Sequence, residues 1–388
     1  MINSRMSEVQ SPIIAVIGEL IKDNPNTISL GQGIVFYSPP HEAIDAVNQF
    51  WQNADNHKYK SVLGIEPLLL KISQKLTQEN NININENNSI VVTAGSNMGF
   101  MNAILAITSP EDEIILPTPY YFNHEMAITM ASCKPVLVPT NSDYQLCPEA
   151  IAKAITPKTK AIVTISPNNP SGVVYSASAL QQVNEICRAN NIYHISDEAY
   201  EYFTYNDVKH FSPASLANSY NHTISLFSLS KAYGFASWRI GYMVIPKSLL
   251  MAVKKVQDTI LICPPVVSQY AALGALNTGI SYCQKYLQEI IKVREIMLNS
   301  LAKIADICTV SHSDGAFYFF LKIDTNLKAF DVAKKLIEEY GVAVIPGETF
   351  GMNDGCYLRV AYGALSPQTE TAAEGINRLI KGLRNICS

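Results

Sequence analysis

The chain has 388 residues, of which 48% are hydrophobic and 16% are charged. This composition can bury a large core and excludes a disordered chain, and the length favours two or three domains. A formal net charge of −4 argues against a nucleic-acid-binding surface, which normally carries a basic excess. No apolar run approaches the roughly 20 residues that span a bilayer, and the first residues lack a signal-peptide pattern. We therefore expect neither a nucleic-acid partner nor a membrane partner.

The cysteines bear on the cellular compartment and on metal binding. Eight are scattered along the chain, with no CxxC pair and no His/Cys spacing of a zinc site. Isolated cysteines in a chain of this length are typical of reduced, mostly buried thiols. The sequence therefore predicts a cytoplasmic protein without a metal centre.

Seven short apolar runs between residues 89 and 245 predict β-strands. They are nearly unbroken by polar residues, as strands covered on both faces must be. Periodic segments between most of them, such as 97–108 and 176–191, predict helices. This alternation indicates an α/β fold with a mostly parallel seven-stranded sheet between helices. The predicted strands are 89–94, 112–117, 135–139, 160–166, 192–196, 223–228 and 240–245.

The pattern changes after residue 246 and predicts a smaller α+β unit. The N-terminal 40 residues hold no complete unit of their own, and we expect them to pack onto this one. The predicted division is a large domain over 45–280 and a small domain built from 1–44 and 281–388. The small unit and the segment leading into it contain predicted helices at 246–262, 281–305, 329–340 and 366–384, and predicted strands at 315–323, 341–345 and 357–362.

Polar residues follow several of the predicted strands, at the sheet edge where open α/β sheets bind ligands. In TAGSNMGF (93–100), Gly95, Ser96 and Asn97 can present N–H groups to an anion at a helix N-terminus. An ordinary helix cap is the alternative. In SPNNPSG (166–172), Asn168 or Asn169 can hold an amide at the ligand edge, and a plain turn is the alternative.

Two further segments place charge among apolar residues. Asp197 ends a predicted strand in SDEAY (196–200), where a buried carboxylate needs a cation or several donors, and Tyr200 follows three residues later. A structural ion pair would also satisfy this carboxylate. Arg359 lies inside the predicted strand of LRVAYG (358–363), and a buried arginine is rarely unpaired. Either an internal acid or a substrate carboxylate can be its partner.

The segment SLSKAYGFASWRIG (228–241) carries the most specific chemistry. A lysine in an apolar setting loses its charge more easily, and a neutral amine forms a Schiff base with a carbonyl. Two serines and an arginine nearby can bind a phosphate. Together these residues suit a cofactor with both an aldehyde and a phosphate, which is pyridoxal phosphate. A surface lysine in a loop is the alternative. The residues are Ser228, Ser230, Lys231 and Arg239.

These motifs, in this order, resemble those of the class I/II aminotransferases, which are pyridoxal-phosphate enzymes of fold type I. The resemblance covers almost the whole chain. It includes LGQG (30–33), the pattern Y-x4-G-x3-L from Tyr59 to Leu68, SPNNPSG, DEAY, SxSK followed by R-x-G, and PGETFG (346–351) before LRVAYG.

The resemblance implies a role for each cofactor-binding residue. Lys231 would carry the Schiff base and move the proton at the substrate α-carbon, and Asp197 would keep the pyridine nitrogen protonated. Asn169 and Tyr200 would bind the ring hydroxyl. Tyr121 would stack on the ring, with a one-residue ambiguity against Tyr120. The residues implied at the phosphate are Gly95, Ser96, Asn97, Ser228, Ser230 and Arg239.

The resemblance also bears on substrate and assembly. Gly33, Asn169 and Arg359 would bind the substrate α-carboxylate. Tyr59 would reach the phosphate site of a partner subunit, so a homodimer is implied. The expected reaction is the transfer of an amino group from an L-amino acid to a 2-oxo acid. A carbon–sulfur lyase or a related elimination enzyme of the same fold would carry the same motifs.

Specificity is where this sequence departs from the family pattern. GQG is often followed by proline in the family, whereas this chain continues with Ile34, Val35 and Phe36. Three segments that the resemblance assigns to the pocket, 31–41, 93–103 and 256–284, contain neither lysine nor arginine. A second substrate carboxylate needs a cation or strong donors. The sequence therefore predicts a neutral or aromatic amino donor rather than aspartate.

Overall fold

Three sheets organise the chain, which a computed structural model describes over residues 4–365 and 368–387. The thirteen strands of this part are β1 (Ile28–Ser29), β2 (Asn88–Thr93), β3 (Glu113–Thr118), β4 (Lys134–Pro139), β5 (Thr159–Ile165), β6 (Tyr193–Asp197), β7 (Thr223–Ser228), β8 (Gly241–Pro246), β9 (Cys308–Val310), β10 (Tyr318–Ile323), β11 (Val342–Ala343), β12 (Ile345–Pro346) and β13 (Cys356–Ala361).

Thirteen α-helices accompany these strands within the same described residues. They are α1 (Ile13–Asp23), α2 (His41–Phe50), α3 (Glu66–Glu79), α4 (Ser96–Ile107), α5 (Phe122–Met130), α6 (Pro148–Lys153), α7 (Ala177–Ala189), α8 (Leu229–Ala232), α9 (Leu250–Leu261), α10 (Val266–Thr278), α11 (Ser281–Leu301), α12 (Ala329–Tyr340) and α13 (Thr369–Ile386).

The largest sheet has seven strands in the order β2-β8-β7-β6-β5-β3-β4. The pairs β7–β6, β6–β5, β5–β3 and β3–β4 are parallel, whereas β8 runs antiparallel to both β2 and β7. Strands β2 and β8 are buried along their whole length and β5 at all but one residue, since helices cover both faces, whereas the edge strand β4 is largely accessible. The predicted α/β fold with a mostly parallel seven-stranded sheet is confirmed, and each predicted strand of this sheet is found within one or two residues.

The remaining strands and the two ends of the chain form a second region. A four-stranded sheet has the order β12-β13-β10-β9, and β1 pairs in parallel with β11. Helix α12 turns one apolar stripe inward at three- and four-residue spacing, as an amphipathic helix does. The N-terminal helix α1 packs against α12 and β12. The predicted boundary at residues 44 and 45 falls inside α2, and the division into two domains stays a prediction.

Four of the predicted elements differ from those observed. The run 341–345 was predicted as one strand, but it divides at Val344, with Val342 pairing with Ile28 and Ile345 pairing with Arg359. A continuous apolar run does not reveal that its two halves pair with different strands. Strand β10 begins at Tyr318 rather than 315, since Ala316 has φ +53°. The predicted helices 246–262 and 281–305 each include a short 3-10 turn, at Lys247–Leu249 and Ala302–Ile304.

The last predicted helix, 366–384, lies partly outside the residues that the structure describes. Residues 366 and 367 lie outside the described residues, and α13 covers Thr369–Ile386. Its buried positions recur every three or four residues, from Ala372 to Leu383, and they face the core of the second region.

Candidate active site

A cavity of about 370 Å³ opens at the carboxyl ends of the central strands. Twelve of the fourteen site residues predicted from the sequence line it, although they come from eight separate stretches of the chain. The exceptions are Gly95 and Tyr59. The twelve are Gly33, Ser96, Asn97, Tyr121, Asn169, Asp197, Tyr200, Ser228, Ser230, Lys231, Arg239 and Arg359.

One end of the cavity is built to receive an anion. Helix α4 begins here without a side-chain cap, so the N–H groups of its first turn are available to a ligand. Gly95 precedes the helix at φ +79°, and a Cβ atom there would lie 2.4 Å from the Arg239 guanidinium. Glycine is therefore required for the helix start and this guanidinium to lie side by side.

Strand β7 and the turn after it supply two hydroxyls to the same end. Ser228 caps α8 by accepting a hydrogen bond from the backbone N–H of Ser230, at 3.2 Å. Both serines line the cavity with Arg239. Uncapped helix N–H groups, hydroxyls and a guanidinium are the donors that a phosphate prefers.

Lys231, one residue after Ser230, extends into the middle of the cavity. Its Nζ donates a hydrogen bond to the backbone carbonyl of Gly33. Burial, with the positive charges of Arg359 and Arg239, lowers the pKa of this amine to about 8. About a tenth of the amine is thus neutral at pH 7, far more than for an ordinary lysine, and the neutral form is the one that a nucleophilic amine requires.

Asp197 lies at the end of β6 and is buried. Its Oδ1 accepts the backbone N–H of Ala199 at 3.1 Å, and its Oδ2 accepts a hydrogen bond from His124 Nε2 at 3.0 Å. The His124 ring stacks on Phe100, with centroids 4.0 Å apart. The carboxylate is therefore held in one orientation at the cavity wall. His124 was not predicted, because nothing in the sequence of α5 indicates a contact with Asp197, which lies 73 residues later at the end of β6.

The motif SPNNPSG places its two asparagines differently. Asn168 folds back into its own turn, where its Oδ1 accepts the N–H of Ser171 at 2.9 Å. Asn169 faces the cavity, and its Nδ2 donates to the hydroxyl of Tyr200 at 3.4 Å. The sequence left the choice between them open, and the geometry assigns the cavity to Asn169.

The neighbouring tyrosines 120 and 121 are also distinguished by the structure. Tyr121 lines the cavity, and its hydroxyl accepts a hydrogen bond from Asn123 Nδ2 at 2.8 Å. Tyr120 points away and packs against Gly351. The ring available for stacking is therefore that of Tyr121.

Arg359 is a buried cation with neutral partners. It is 2% exposed, and it donates to Asn169 Oδ1 at 2.9 Å and to the carbonyl of Gly31 at 2.6 Å. Its Nε has no hydrogen-bond partner, and no described carboxylate forms an ion pair with it. A buried unpaired charge is costly, so this guanidinium is ready for an anionic ligand. The sequence left two possible partners for Arg359, an internal acid and a substrate carboxylate. No internal acid pairs with it among residues 4–365 and 368–387.

Of the two predicted residues that do not line the cavity, Gly95 lies beside the Arg239 guanidinium, and the other is Tyr59. It is 78% exposed and lies on the loop before α3. Sequence reasoning missed several lining side chains, because nothing distinguishes them from core residues in their apolar stretches. These are Ile14, Phe122 and Tyr318, whereas Gln32 and Ile34 belong to the segment 31–41 that was predicted to lie at the pocket.

Known proteins resemble this chain in family pattern, in sequence and in structure. The model for aminotransferase class I and II matches residues 25–376. The aromatic aminotransferase ISS1 of Arabidopsis thaliana is 30% identical over 100% of this chain and 97% of its own. An aspartate aminotransferase of Pyrococcus abyssi is also 30% identical, over 98% of each chain. The solved aspartate aminotransferase of Rhizobium meliloti superposes with a TM-score of 0.90 at 28% identity, over 99% of each chain.

Across the described part of the chain, no helix combines the length and the apolar character needed to cross a bilayer.

Proposed function

Because the chain belongs to the class I and II aminotransferase family and is an aminotransferase, we propose that it binds pyridoxal phosphate on Lys231 and takes its amino group from a neutral or aromatic L-amino acid. Enzymes of this family depend on pyridoxal phosphate. The observation that carries the proposal is that Lys231 and Arg359 face one cavity. The amine has a pKa lowered to about 8, and the buried guanidinium has no acidic partner among the described residues.

The cavity fits the cofactor group by group. The α4 N-terminus, the two serines and Arg239 suit its phosphate, and Lys231 suits its aldehyde. Asp197, fixed by His124, suits the protonated pyridine nitrogen, and Tyr200 suits the ring hydroxyl. Each polar group of the cofactor would thus meet a side chain of matching chemistry.

The residues around the cavity then have distinct tasks. Pyridoxal phosphate, when bound, supplies an aldehyde that accepts an amino group and a ring that stabilises negative charge at the substrate α-carbon. Asp197 holds a proton at the pyridine nitrogen and so preserves that capacity. Lys231 Nζ would take up the α-proton in its neutral form and return it, and a pKa lowered to about 8 makes that form accessible. Tyr121 would stack on the cofactor ring and help to exclude water from it.

Arg359 would bind the substrate carboxylate. Its Nε is unpartnered, and Asn169 Oδ1 already fixes its NH1 at 2.9 Å, so the guanidinium is oriented before the substrate arrives. Arginine matches a carboxylate with two parallel hydrogen bonds. Arg359 would therefore recognise the α-carboxylate, which every amino-acid donor shares.

The remaining wall decides which side chain fits. The described residues lining the cavity include three cations, and the tasks above occupy all of them: Lys231, Arg239 and Arg359. The space is otherwise bounded largely by apolar and aromatic groups, among them Ile14, Ile34, Phe122 and Tyr121. Burying an apolar substrate group there is worth ~1–3 kcal/mol, whereas a second carboxylate would lose its hydration uncompensated.

A donor screen tests this proposal. The enzyme loaded with pyridoxal phosphate is assayed with phenylalanine, methionine, glutamine and aspartate, with 2-oxoglutarate or pyruvate as acceptor. We expect kcat/KM for phenylalanine or methionine to exceed that for aspartate by roughly tenfold or more. A clear preference for aspartate would contradict the proposed substrate class.

Two controls separate the activity from its specificity. The variant Lys231→Ala should lose turnover, and it should lose its visible absorption once free cofactor is removed. If this variant keeps wild-type activity, the assignment of Lys231 is wrong. Release of ammonia from a sulfur amino acid without an added oxo acid would instead indicate elimination.

The assembly and the compartment belong to the same proposal. A homodimer is supported by exposed apolar side chains on the isolated chain, including Ile260 (48%) and Ile262 (42%), and by the exposed Tyr59. All eight cysteines are free, in keeping with a reducing cytoplasm.

A further inference from the structure

Tyr318 is a cavity residue without a task in the reaction described above. It opens β10, is 1% exposed, and directs its hydroxyl into the cavity. That oxygen lies 2.7 Å from the hydroxyl of Tyr200. A phenol in this position is more than a packing group, because its polar end contacts a residue proposed to hold the cofactor.

The same side chain contacts the residue proposed to hold the substrate. The guanidinium carbon of Arg359 lies 4.7 Å from the centre of the Tyr318 ring, within the range of a cation–π contact. Arg359 also bonds Asn169, whose Nδ2 bonds Tyr200. Tyr318, Tyr200, Asn169 and Arg359 thus form a closed ring of four side chains.

Gly33 completes the surroundings of the Tyr318 hydroxyl. A Cβ atom on Gly33 would lie 2.2 Å from the Tyr318 oxygen but 3.1 Å from its ring carbon Cζ. The backbone carbonyl of Gly33 accepts the hydrogen bond from Lys231. The Tyr318 hydroxyl can therefore occupy this position only because residue 33 is glycine.

The hydroxyl protons set the direction of these hydrogen bonds. Burial raises the pKa of Tyr200 well above its ordinary value and that of Tyr318 to about 12, so each hydroxyl keeps its single proton near neutral pH. A hydroxyl donates once and accepts twice. If Tyr200 donates to the cofactor ring oxygen, it accepts from Asn169 Nδ2, and Tyr318 must donate to it.

We propose that Tyr318 is a positioning residue whose hydroxyl orients the proton of Tyr200 towards the cofactor and whose ring supports Arg359 beneath the substrate carboxylate. This inference rests on the proposed function, because it takes the ring hydroxyl and the carboxylate to be bound at those two residues. The two halves of the side chain have separable effects: the hydroxyl acts on Tyr200 and the ring acts on Arg359.

The hydroxyl is tested with Tyr318→Phe in the enzyme loaded with pyridoxal phosphate. Without a donor to Tyr200, the ring oxygen anion is stabilised less and a proton shared with it is held more tightly. The pH midpoint of the visible absorption should therefore rise by roughly half a unit or more. Tyr175→Phe is the matched control, since it removes a buried hydroxyl that bonds Asn168 at 3.2 Å outside this cavity. Its midpoint should equal that of the wild type.

The ring is tested with Tyr318→Leu, using 3-phenylpropanoate as a carboxylate that cannot react. We expect Tyr318→Phe to bind this probe like the wild type and Tyr318→Leu to bind it roughly threefold or more weakly, since it lacks the aromatic face. Equal dissociation constants for the two variants would overturn the role assigned to the ring. An unchanged midpoint in Tyr318→Phe would overturn the role assigned to the hydroxyl.

A rescue experiment checks the geometry even if Tyr318→Leu does not fold. Gly33→Ala should weaken binding of the same probe, because its Cβ meets the Tyr318 oxygen, and Tyr318→Phe added to it should restore much of the loss. Failure of the rescue would contradict the proposed packing.

If the wild-type enzyme itself binds no pyridoxal phosphate, the proposed function is wrong. If it binds the cofactor and Tyr318→Phe has no effect, this inference alone is wrong.

Discussion

Lys231 shows how the fold prepares a single residue for chemistry. Its amine lies near two guanidinium groups, those of Arg359 and Arg239, in a cavity that excludes much of the solvent. Both influences disfavour the ammonium form, so the pKa falls from 10.5 to about 8. Near neutral pH the neutral fraction is then much larger than for an ordinary lysine.

The pH dependence of cofactor capture follows from this shift. Only the neutral amine attacks an aldehyde, so the rate at which the cofactor-free protein binds pyridoxal phosphate should rise about tenfold per pH unit below pH 8 and level off above it. The rate is measured from the growth of visible absorption after mixing. In Arg359→Gln the midpoint should move to higher pH, because one nearby positive charge is lost. A rate that keeps rising through pH 10 would contradict the lowered pKa.

At the scale of elements, a buried ion pair fixes the loop that follows β6. Lys75 on α3 has a side chain only 4% exposed, and its Nζ contacts Glu201 Oε2 at 2.5 Å. The same Nζ lies 4.9 Å from the centre of the Phe227 ring, one residue before Ser228. One lysine thus holds together the segments that carry Asp197 and the phosphate-side serines.

Replacing this lysine should therefore destabilise the fold. Lys75→Met leaves Glu201 buried without its cation, and we expect the free energy of unfolding to fall by about 3 kcal/mol. Denaturant unfolding of the cofactor-free protein measures it. The control is Arg188→Gln, which breaks an exposed pair with Glu185 and should leave the unfolding midpoint near that of the wild type. Equal midpoints for the two variants would show that the buried pair does not stabilise the fold.

How far the sequence predicts these elements depends on the kind of signal. Central strands were predicted because their apolar runs end at polar residues, and Asp197 marks such an end. The division of the run 341–345 at Val344 was not predicted, because an apolar run carries no information about which strands it pairs with. His124 and Tyr318 were missed for a similar reason. Their contacts with Asp197 and Tyr200 join segments 73 and 118 residues apart, which only the tertiary fold brings together.

At the scale of the whole molecule, the single chain leaves the predicted site residue Tyr59 exposed to solvent. Tyr59 is 78% exposed and does not line the cavity that holds Ser228 and Arg239. A tyrosine in such a position can serve a neighbouring copy, and two-fold symmetry then makes the exchange reciprocal. Each active site of the proposed homodimer would contain residues of both chains.

Mixing two defective subunits tests this shared site. A Lys231→Ala subunit has no active amine, and a Tyr59→Phe subunit lacks the donated hydroxyl. If Tyr59 acts across the interface, each mixed dimer has one intact site and one doubly defective site. When the two kinds of subunit are mixed in equal amounts and exchange fully, half of the dimers are mixed and each has one of its two sites intact. The mixture should then show about a quarter of wild-type activity at limiting cofactor. Purification of the mixed dimer through two different tags establishes the exchange. Activity no higher than that of the Tyr59→Phe subunits present would place Tyr59 outside the partner's site.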